Sequence, residues 1–400
     1  MSTFQELPNL TPIESQVAIQ VGMLSNVPVN LIGEAGAGKS KSVENLARMG
    51  NAALKDKGGF GYIDFRLSDK DGVLDVRGIT FKHILDSGRI VTASAPPHIL
   101  LPALEPGWRG IIFGDEWPLG DDEARKAWMR ALTDYYIGEH QLSEGAVLVM
   151  AGNRAKDRPI GSRISGPEAN RVMHCVVKQT VKEWTTHAPQ GFEGYEDELP
   201  DVWNHTPIAL PHHVDKRICG FLNWRSDYFQ DYDPDLFAAG KTAYGTARTW
   251  EYASRVLSVV EDTPEFKKWK GIKAVKKAMC SGLVGTTAAT ECLATMDLLD
   301  RIIKVKDVIA NPDTARLPDP NDEKCVGICW MGMGTLTSEK HFNKDTADPI
   351  VKYTRRLAGH INGDLGKVCI AMLEKSNSEV IREALHSSKE YHAYKADLSA

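Results

Sequence analysis

Short apolar runs alternate with stretches of helical periodicity from residue 1 to about residue 190. This alternation is typical of a parallel β-sheet whose strands are joined by helices. Five strands are predicted, at residues 29–32, 61–66, 110–114, 146–150 and 172–177. Runs that are apolar at nearly every position suit strands buried on both faces. Thr11 followed by Pro12 predicts the start of a helix that leads into the first of these strands.

The second half of the chain has a different pattern. Residues 185–211 are rich in proline, histidine, glycine and acidic residues, which is typical of a linker or loop insertion. Helices are then predicted near residues 212–225, 245–260, 272–307, 348–360 and 365–393. The chain is therefore expected to have three parts: an α/β core over 1–190, a linker and α-helical lid over 191–315, and a helical C-terminal extension over 316–400.

Composition narrows the class of protein. Of 400 residues, 42% are hydrophobic and 25% charged, and the net charge is −5, so no global field attracts the chain to nucleic acid or anionic lipid. No apolar run approaches the roughly 20 residues needed to cross a bilayer. The first residues lack the basic and apolar layout of a signal peptide. The seven cysteines are scattered. We therefore expect a cytoplasmic protein with free thiols and no membrane insertion.

One glycine-rich segment carries a strong signal for phosphate binding. Its sequence, Gly-Glu-Ala-Gly-Ala-Gly-Lys-Ser, matches the P-loop pattern and lies between a predicted strand and a predicted helix. Glycines let successive backbone N–H groups turn towards phosphate oxygens, the lysine adds a cation, and the serine hydroxyl is a ligand for Mg²⁺. The predicted nucleotide-contacting residues are Gly33, Glu34, Ala35, Gly36, Ala37, Gly38, Lys39 and Ser40.

Polar residues follow two further predicted strands. The strand at 110–114 ends in Asp115 and Glu116, where Asp115 is expected to hold Mg²⁺ with Ser40, and Glu116 to act as general base on the attacking water. Asn153 follows the strand at 146–150 and is expected beside the γ-phosphate. Taken alone, Asp115 and Glu116 suit solvated acids at a strand end, and Asn153 suits a turn. Together with the P-loop they predict Mg²⁺-dependent hydrolysis of a nucleoside triphosphate.

Several segments together resemble the MoxR-like branch of the AAA+ ATPases. The similarity covers almost the whole chain and rests on residues 64–68 with 76–78, 110–116, 150–158, 168–174, 244–251 and 309–312. Residues 150–158 resemble the family's sensor-1 signature, and residues 244–251 its sensor-2 motif. The resemblance implies an AAA+ P-loop domain with a five-stranded parallel sheet, followed by an α-helical lid and a helical extension.

The resemblance also assigns two arginines. It implies that Arg171 is a finger that reaches the γ-phosphate of a neighbouring subunit, and that Arg248 senses the nucleotide bound to its own chain. A planar, permanently charged guanidinium suits phosphate oxygens better than an ammonium does. A single arginine is otherwise most often a surface pairing residue. Arg158 and Arg163 are nearby alternatives for the finger.

A ring follows from a finger that acts in trans, and a hexamer is the expected size. The resemblance implies a chaperone-like remodeller of a partner protein, often one with a von Willebrand A domain, and a hairpin over residues 79–94 that faces the pore. The alternative is a nucleic-acid motor or a restriction-type translocase on the same fold. The acidic balance disfavours it, and a lysine cluster such as that over 267–277 is more often a solvated helix face than a nucleic-acid site.

Overall fold

The structure is a computed structural model of the 400-residue chain. It describes residues 6–70, 72–154, 157, 164–190, 198–210, 212–361, 363–376 and 378–399. The chain packs as two compact units, the first made of Met1–His212 with Asp231–Thr287 and the second of His213–Gln230 with Ala288–Ala400. The packing thus divides the chain differently from the predicted three parts, since residues 213–230 of the predicted lid pack with later helices. The functional division into core, lid and extension stays a prediction.

The described strands all belong to the first unit. They are β1 (Asn9–Leu10), β2 (Val29–Gly33), β3 (Gly61–Asp64), β4 (Ile79–Ile84), β5 (Ile90–Ala95), β6 (Arg109–Gly114), β7 (Tyr136–Ile137), β8 (His140–Gln141), β9 (Gly145–Asn153) and β10 (Met173–Val177). Among the described residues, six strands form one parallel sheet in the order β1-β10-β2-β9-β6-β3. The five predicted strands are all present, with ends shifted by a few residues.

The prediction of five strands in the sheet is wrong by one. The additional strand is β1, which joins the edge of the sheet by pairing Asn9 with Val176 and Leu10 with Val177. Two residues are too short to show an apolar run of their own. The strand forms because the parallel partner β10 offers backbone groups that would otherwise stay unpaired at the edge.

The helices of the first unit flank this sheet. They are α1 (Pro12–Ser25), α2 (Lys39–Ala53), α3 (Val73–Arg77), α4 (Leu101–Leu104), α5 (Asp122–Asp134), α6 (Gly166–Ala169), α7 (Val181–His187), α9 (Pro234–Ala238), α10 (Ala247–Asp262), α11 (Pro264–Lys268) and α12 (Ile272–Val284). The predicted cap of α1 is confirmed, because the Thr11 side chain accepts from the Glu14 backbone and the Glu14 side chain accepts from the Thr11 backbone. Pro12 is the first residue of that helix.

The described residues of the second unit form helices joined by loops and include no strand. Its helices are α8 (Lys216–Trp224), α13 (Thr286–Ile302, from Ala288 onward), α14 (Val305–Ala310), α15 (Cys325–Leu336), α16 (Ala347–Ile361), α17 (Gly363–Glu374), α18 (Glu379–Ser387) and α19 (Lys389–Ser399). Helix α8 lies close against α15, where a Cβ at Gly220 would stand 2.6 Å from the Trp330 carbonyl oxygen. No described helix has both the length and the apolar character required to cross a bilayer.

Strands β4 and β5 pair antiparallel and form the predicted hairpin. Its apolar side chains are largely in solvent: Ile79, Ile84 and Ile90 are 61–67% exposed, and Phe81 is 46% exposed. Soluble proteins seldom leave several large apolar side chains together in water without a binding role. The position of this hairpin in the pore of a ring stays a prediction.

The register of the sheet determines where its functional loops meet. Gly33 pairs with Asn153 and with Val177, and Gly114 pairs with Met150. Because the strands are parallel, their carboxyl ends lie at one edge, and the loops that follow β2, β6 and β9 leave from that edge. This is where α/β proteins usually bind their ligands.

Candidate nucleotide site

The loop between β2 and α2 has the backbone of a phosphate cradle. Gly36 and Gly38 have φ angles of 75° and 85°, a region that side-chain-bearing residues seldom occupy. Gly33 is required for space, because a Cβ there would lie 2.6 Å from the Val177 carbonyl oxygen. Residues 34–36 are exposed, so the N–H groups of the loop and the amino end of α2 are open to an anion.

Lys39 ties this loop to the neighbouring strand. Its ammonium donates to the Gly33 carbonyl at 3.1 Å, to the Glu34 carbonyl at 2.8 Å and to Asn153 Oδ1 at 3.2 Å. The residue is only 8% exposed. The structure therefore brings Asn153 to the Lys39 ammonium and holds that cation at the cradle.

Ser40 and Asp115 form the oxygen pair expected for a metal. The Ser40 hydroxyl donates to Asp115 Oδ2 at 2.9 Å, and Asp115 is 8% exposed. Mg²⁺ prefers oxygen ligands and usually keeps several waters alongside one or two protein groups and substrate phosphates. A hydroxyl and a carboxylate beside a phosphate loop fit that requirement.

Glu116 stands next to this pair in an unusual conformation. Its φ angle is 52°, which is uncommon for a residue other than glycine and costs about 1–3 kcal/mol. Its backbone N–H donates to Asp115 Oδ1 at 2.9 Å, and its Oε2 accepts from the Ser68 hydroxyl at 2.8 Å. The carboxylate is exposed, so water can reach it. Strained backbone of this kind is concentrated at functional sites.

Three further residues belong to this site and were not predicted as site residues. Ser68 contacts Glu116, the Arg66 guanidinium lies 3.9 Å from Asp115 Oδ2, and Arg154 forms an ion pair with Glu34 at 2.7 Å. Asp64, and after it Asp115, raise the pKa of Arg66. The polar segment that directly follows β3 is the signal in the sequence that indicates Arg66 and Ser68.

Arg171 lies at the other end of the sheet. It precedes β10, whose first residue Met173 pairs with Val29 at the amino end of β2. At about 3.3 Å per residue, four residues separate that end from the P-loop by about 13 Å. Arg171 is half-buried, and burial lowers the pKa of its guanidinium. The structure therefore does not bring Arg171 to the P-loop of its own chain. Arg158 and Arg163 lie outside the described residues.

Arg248 lies beside Arg171 and not beside the P-loop. The start of α10 is fixed there by two hydrogen bonds: Tyr244 Oη donates to the Gly166 carbonyl at 2.6 Å, and Thr246 Oγ1 donates to Asn170 Oδ1 at 2.8 Å. After burial, the charge of Arg248 is the main cause that lowers the pKa of Arg171. The start of α10 is thus tied to the turn that precedes Arg171. The role of Arg248 on the nucleotide of its own chain stays a prediction.

Comparison with known proteins adds little to this geometry. No protein-family model matches the chain, and no curated protein matches it. Among solved structures, the chain is similar to a "putative ATPase" from Cytophaga hutchinsonii, with 12% identity and a TM-score of 0.39 over 72% of this chain and 90% of that one. Similarity at this level establishes neither a common fold nor a common activity. What this chain does is therefore inferred from its own residues.

Proposed function

We propose that this chain is a Mg²⁺-dependent ATPase. The observation that carries nucleotide hydrolysis is the meeting of three groups at one sheet edge: the P-loop with Lys39, the Ser40–Asp115 oxygen pair, and the exposed Glu116 carboxylate. ATP as the nucleotide is what the family resemblance suggests. Each group supplies a different requirement of phosphoryl transfer, namely a phosphate cradle, metal ligands and a group that orients water.

The chemistry assigned to the chain is simple. Backbone N–H groups of the loop and Lys39 would hold the β- and γ-phosphates, and Ser40 and Asp115 would hold Mg²⁺, which neutralises charge on phosphate oxygens. Glu116 would take a proton from water as the water oxygen attacks the γ-phosphorus. The bond from that phosphorus to the β–γ bridging oxygen breaks, and ADP and phosphate leave. Asn153 would help to orient the water.

The binding half of this proposal is tested by Lys39→Ala with Lys41→Ala as a matched control. Lys41 is on the same helix, but its side chain is 78% exposed and pairs with Glu44. We expect Lys39→Ala to weaken ATP binding at least about 100-fold. The reason is that the ammonium would donate one charge-assisted hydrogen bond to each of the β- and γ-phosphates, and each such bond contributes about 1.5–3 kcal/mol. Lys41→Ala should bind normally. Equal affinities in calorimetric titration would contradict the assignment of the cradle.

We further propose that the ATPase is of the MoxR-like AAA+ type and works as a ring, expected to be a hexamer, in which Arg171 acts on a neighbour's nucleotide. The proposal is supported by the distance between Arg171 and its own P-loop. Arg248 lies beside it, so we extend the role in trans to both guanidiniums. The positive charge of Arg248 lowers the pKa of Arg171, and an anion such as a γ-phosphate would offset this repulsion.

Mixing experiments test the role in trans. Arg171→Ala and Lys39→Ala subunits should each be inactive, since a finger is worth about 10³–10⁵ in rate. In an equal mixture, about a quarter of the interfaces in a ring join an intact pocket to an intact finger, so activity should return to about that fraction of wild type. Full activity of Arg171→Ala alone, or no recovery although mixed rings form, would refute the assignment.

The exposed hairpin supports a role in remodelling a protein partner, and a von Willebrand A domain protein is the partner class that the family resemblance suggests. Movement driven by hydrolysis would pull on a client held at the apolar side chains of β4 and β5. Replacing Phe81 and Ile84 by serine should leave ATP turnover within about twofold of wild type, because surface changes far from a site have small effects. The same variant should lose binding of purified client, measured by co-sedimentation. Unchanged client binding would remove the hairpin from the proposal.

A further inference from the structure

The short turn that carries Arg171 contains a buried acid. Glu168 is 4% exposed and lies in α6, three residues before Arg171. One of its oxygens, Oε2, accepts from the Ser165 backbone N–H at 2.5 Å, and its own N–H donates to Ser165 Oγ at 3.4 Å. This capping box fixes the first turn of α6.

The second oxygen of Glu168 faces an arginine. Among the described residues no hydrogen bond reaches Glu168 Oε1, and Arg125 Nη1 lies 3.6 Å away, with both side chains only 5–6% exposed. A capping box does not require this charge, because glutamine serves at the same position. Buried ion pairs also contribute little to stability compared with apolar packing of the same volume. The pair therefore calls for an explanation other than helix capping.

The position of Arg125 suggests a second role for its ion pair with Glu168. It lies in the first turn of α5, the helix that begins six residues after Glu116, and it also pairs with Asp122. The Arg171 guanidinium, in turn, donates from Nη1 to the Pro167 carbonyl at 2.5 Å. The direction of Arg171 thus depends on the same turn that the Arg125–Glu168 pair holds against α5.

We propose that Glu168 and Arg125 are positioning residues for Arg171. The inference rests on the proposed role of Arg171 in trans and goes beyond it, because it assigns two residues that contact neither nucleotide nor metal. The Arg125–Glu168 pair holds α6 against α5, so that the Arg171 side chain extends from the turn in one fixed direction. A displacement of about 1 Å at a catalytic group can cost about 100-fold in rate.

Glu168→Gln is the deciding variant, because glutamine keeps the cap and removes the charge opposite Arg125. We expect kcat to fall about 10–100-fold while ATP affinity stays within about twofold. Mixing with Lys39→Ala subunits should restore activity, since these supply an intact finger to the intact pocket of Glu168→Gln. Glu105→Gln, a change at an exposed residue, is the matched control and should be fully active. Arg125→Lys keeps a positive charge and should lose less activity than Arg125→Met.

The outcomes separate this inference from the proposed function. If Arg171→Ala is inactive and restored by mixing, but Glu168→Gln and Arg125→Met are both fully active, the positioning role is wrong and the finger stands. If Glu168→Gln loses activity that mixing does not restore although mixed rings form, the pair supports its own pocket and the positioning role is also wrong. If Arg171→Ala itself is not restored, the role in trans fails, and this inference fails with it. The Arg125→Met/Glu168→Gln double variant, which leaves no buried charge unpaired, checks for loss of folding.

Discussion

Replacing Asn153 by alanine separates its two possible roles. Asn153 Oδ1 accepts a hydrogen bond from the Lys39 ammonium, and the residue is also assigned to placing the attacking water. If the first role dominates, the substitution weakens nucleotide binding. If the second dominates, it slows turnover and leaves binding nearly intact.

The structure sets the expected size of each effect. The contact between Asn153 and Lys39, at 3.2 Å, is longer than those from the same ammonium to the Gly33 and Glu34 carbonyls, at 3.1 and 2.8 Å, which the substitution leaves in place. A net loss of about 0.5–1.5 kcal/mol corresponds to at most about tenfold weaker binding. A preorganised polar group at the reacting centre contributes about 2.7–4 kcal/mol, or about 10²–10³ in kcat. We therefore expect the loss in kcat to exceed the loss in affinity by at least about tenfold.

Steady-state turnover and calorimetric ATP binding measure the two quantities in the same preparation. Asn321→Ala, in an exposed turn of the second unit, is the control and should change neither. The reasoning is refuted if Asn153→Ala keeps kcat within twofold of wild type while its affinity falls. Asn153 would then act only by supporting Lys39.

Four shorter predictions concern the metal ligand, the core and the buried thiols. Chelation of Mg²⁺, or Asp115→Asn, should reduce ATP turnover at least about 100-fold in a phosphate-release assay, and retained activity with chelator would contradict the metal assignment. Trp128→Ala should lower the free energy of unfolding by about 3–5 kcal/mol in urea titration, because the buried ring stacks on Phe65 with centroids 4.8 Å apart; a loss below 1 kcal/mol would show that the stack matters little. Burial raises the pKa of Cys175, Cys280 and Cys369 to about 12, so these thiols should resist alkylation at pH 8 until the chain unfolds, and rapid native labelling would contradict their burial. In the unfolded chain these thiols ionise near pH 9, whereas in the folded chain they stay protonated. The free energy of unfolding should therefore fall as the pH rises above 9.

Much of the sheet could be predicted because its strands are buried on both faces. In β2 every residue is buried, and β9 is buried over its interior, so both appear in the sequence as runs that are apolar at nearly every position, with Asn30 as the exception in β2. The P-loop was equally clear, since glycine at positions 36 and 38 reflects a backbone that other residues seldom adopt. Strand β1 left no such signal, because it consists of two residues that depend on β10 for pairing.

The parts that could not be predicted depend on contacts between distant segments. Ser68 follows β3 and Glu116 follows β6, and the two residues meet because these strands are neighbours in the sheet. No local sequence motif indicates that contact. The place of Arg248 depends on how the start of α10 binds the turn before β10, through Tyr244 and Thr246. Local sequence patterns do not contain such packing. The resemblance to a sensor-2 motif therefore indicates Arg248 as a candidate, but it does not indicate which residues Arg248 lies near.

The most direct test of the central claim is a single-turnover measurement with Glu116→Gln. Labelled ATP is bound to excess protein in the presence of Mg²⁺, and its conversion to ADP is followed for wild type and variant. The account predicts that wild type converts the bound ATP, while Glu116→Gln holds it with similar affinity and converts it at least about 100-fold more slowly, because the base is lost and the cradle is intact. Conversion at the wild-type rate in Glu116→Gln, or no conversion by wild type, would contradict the claim that this site hydrolyses ATP.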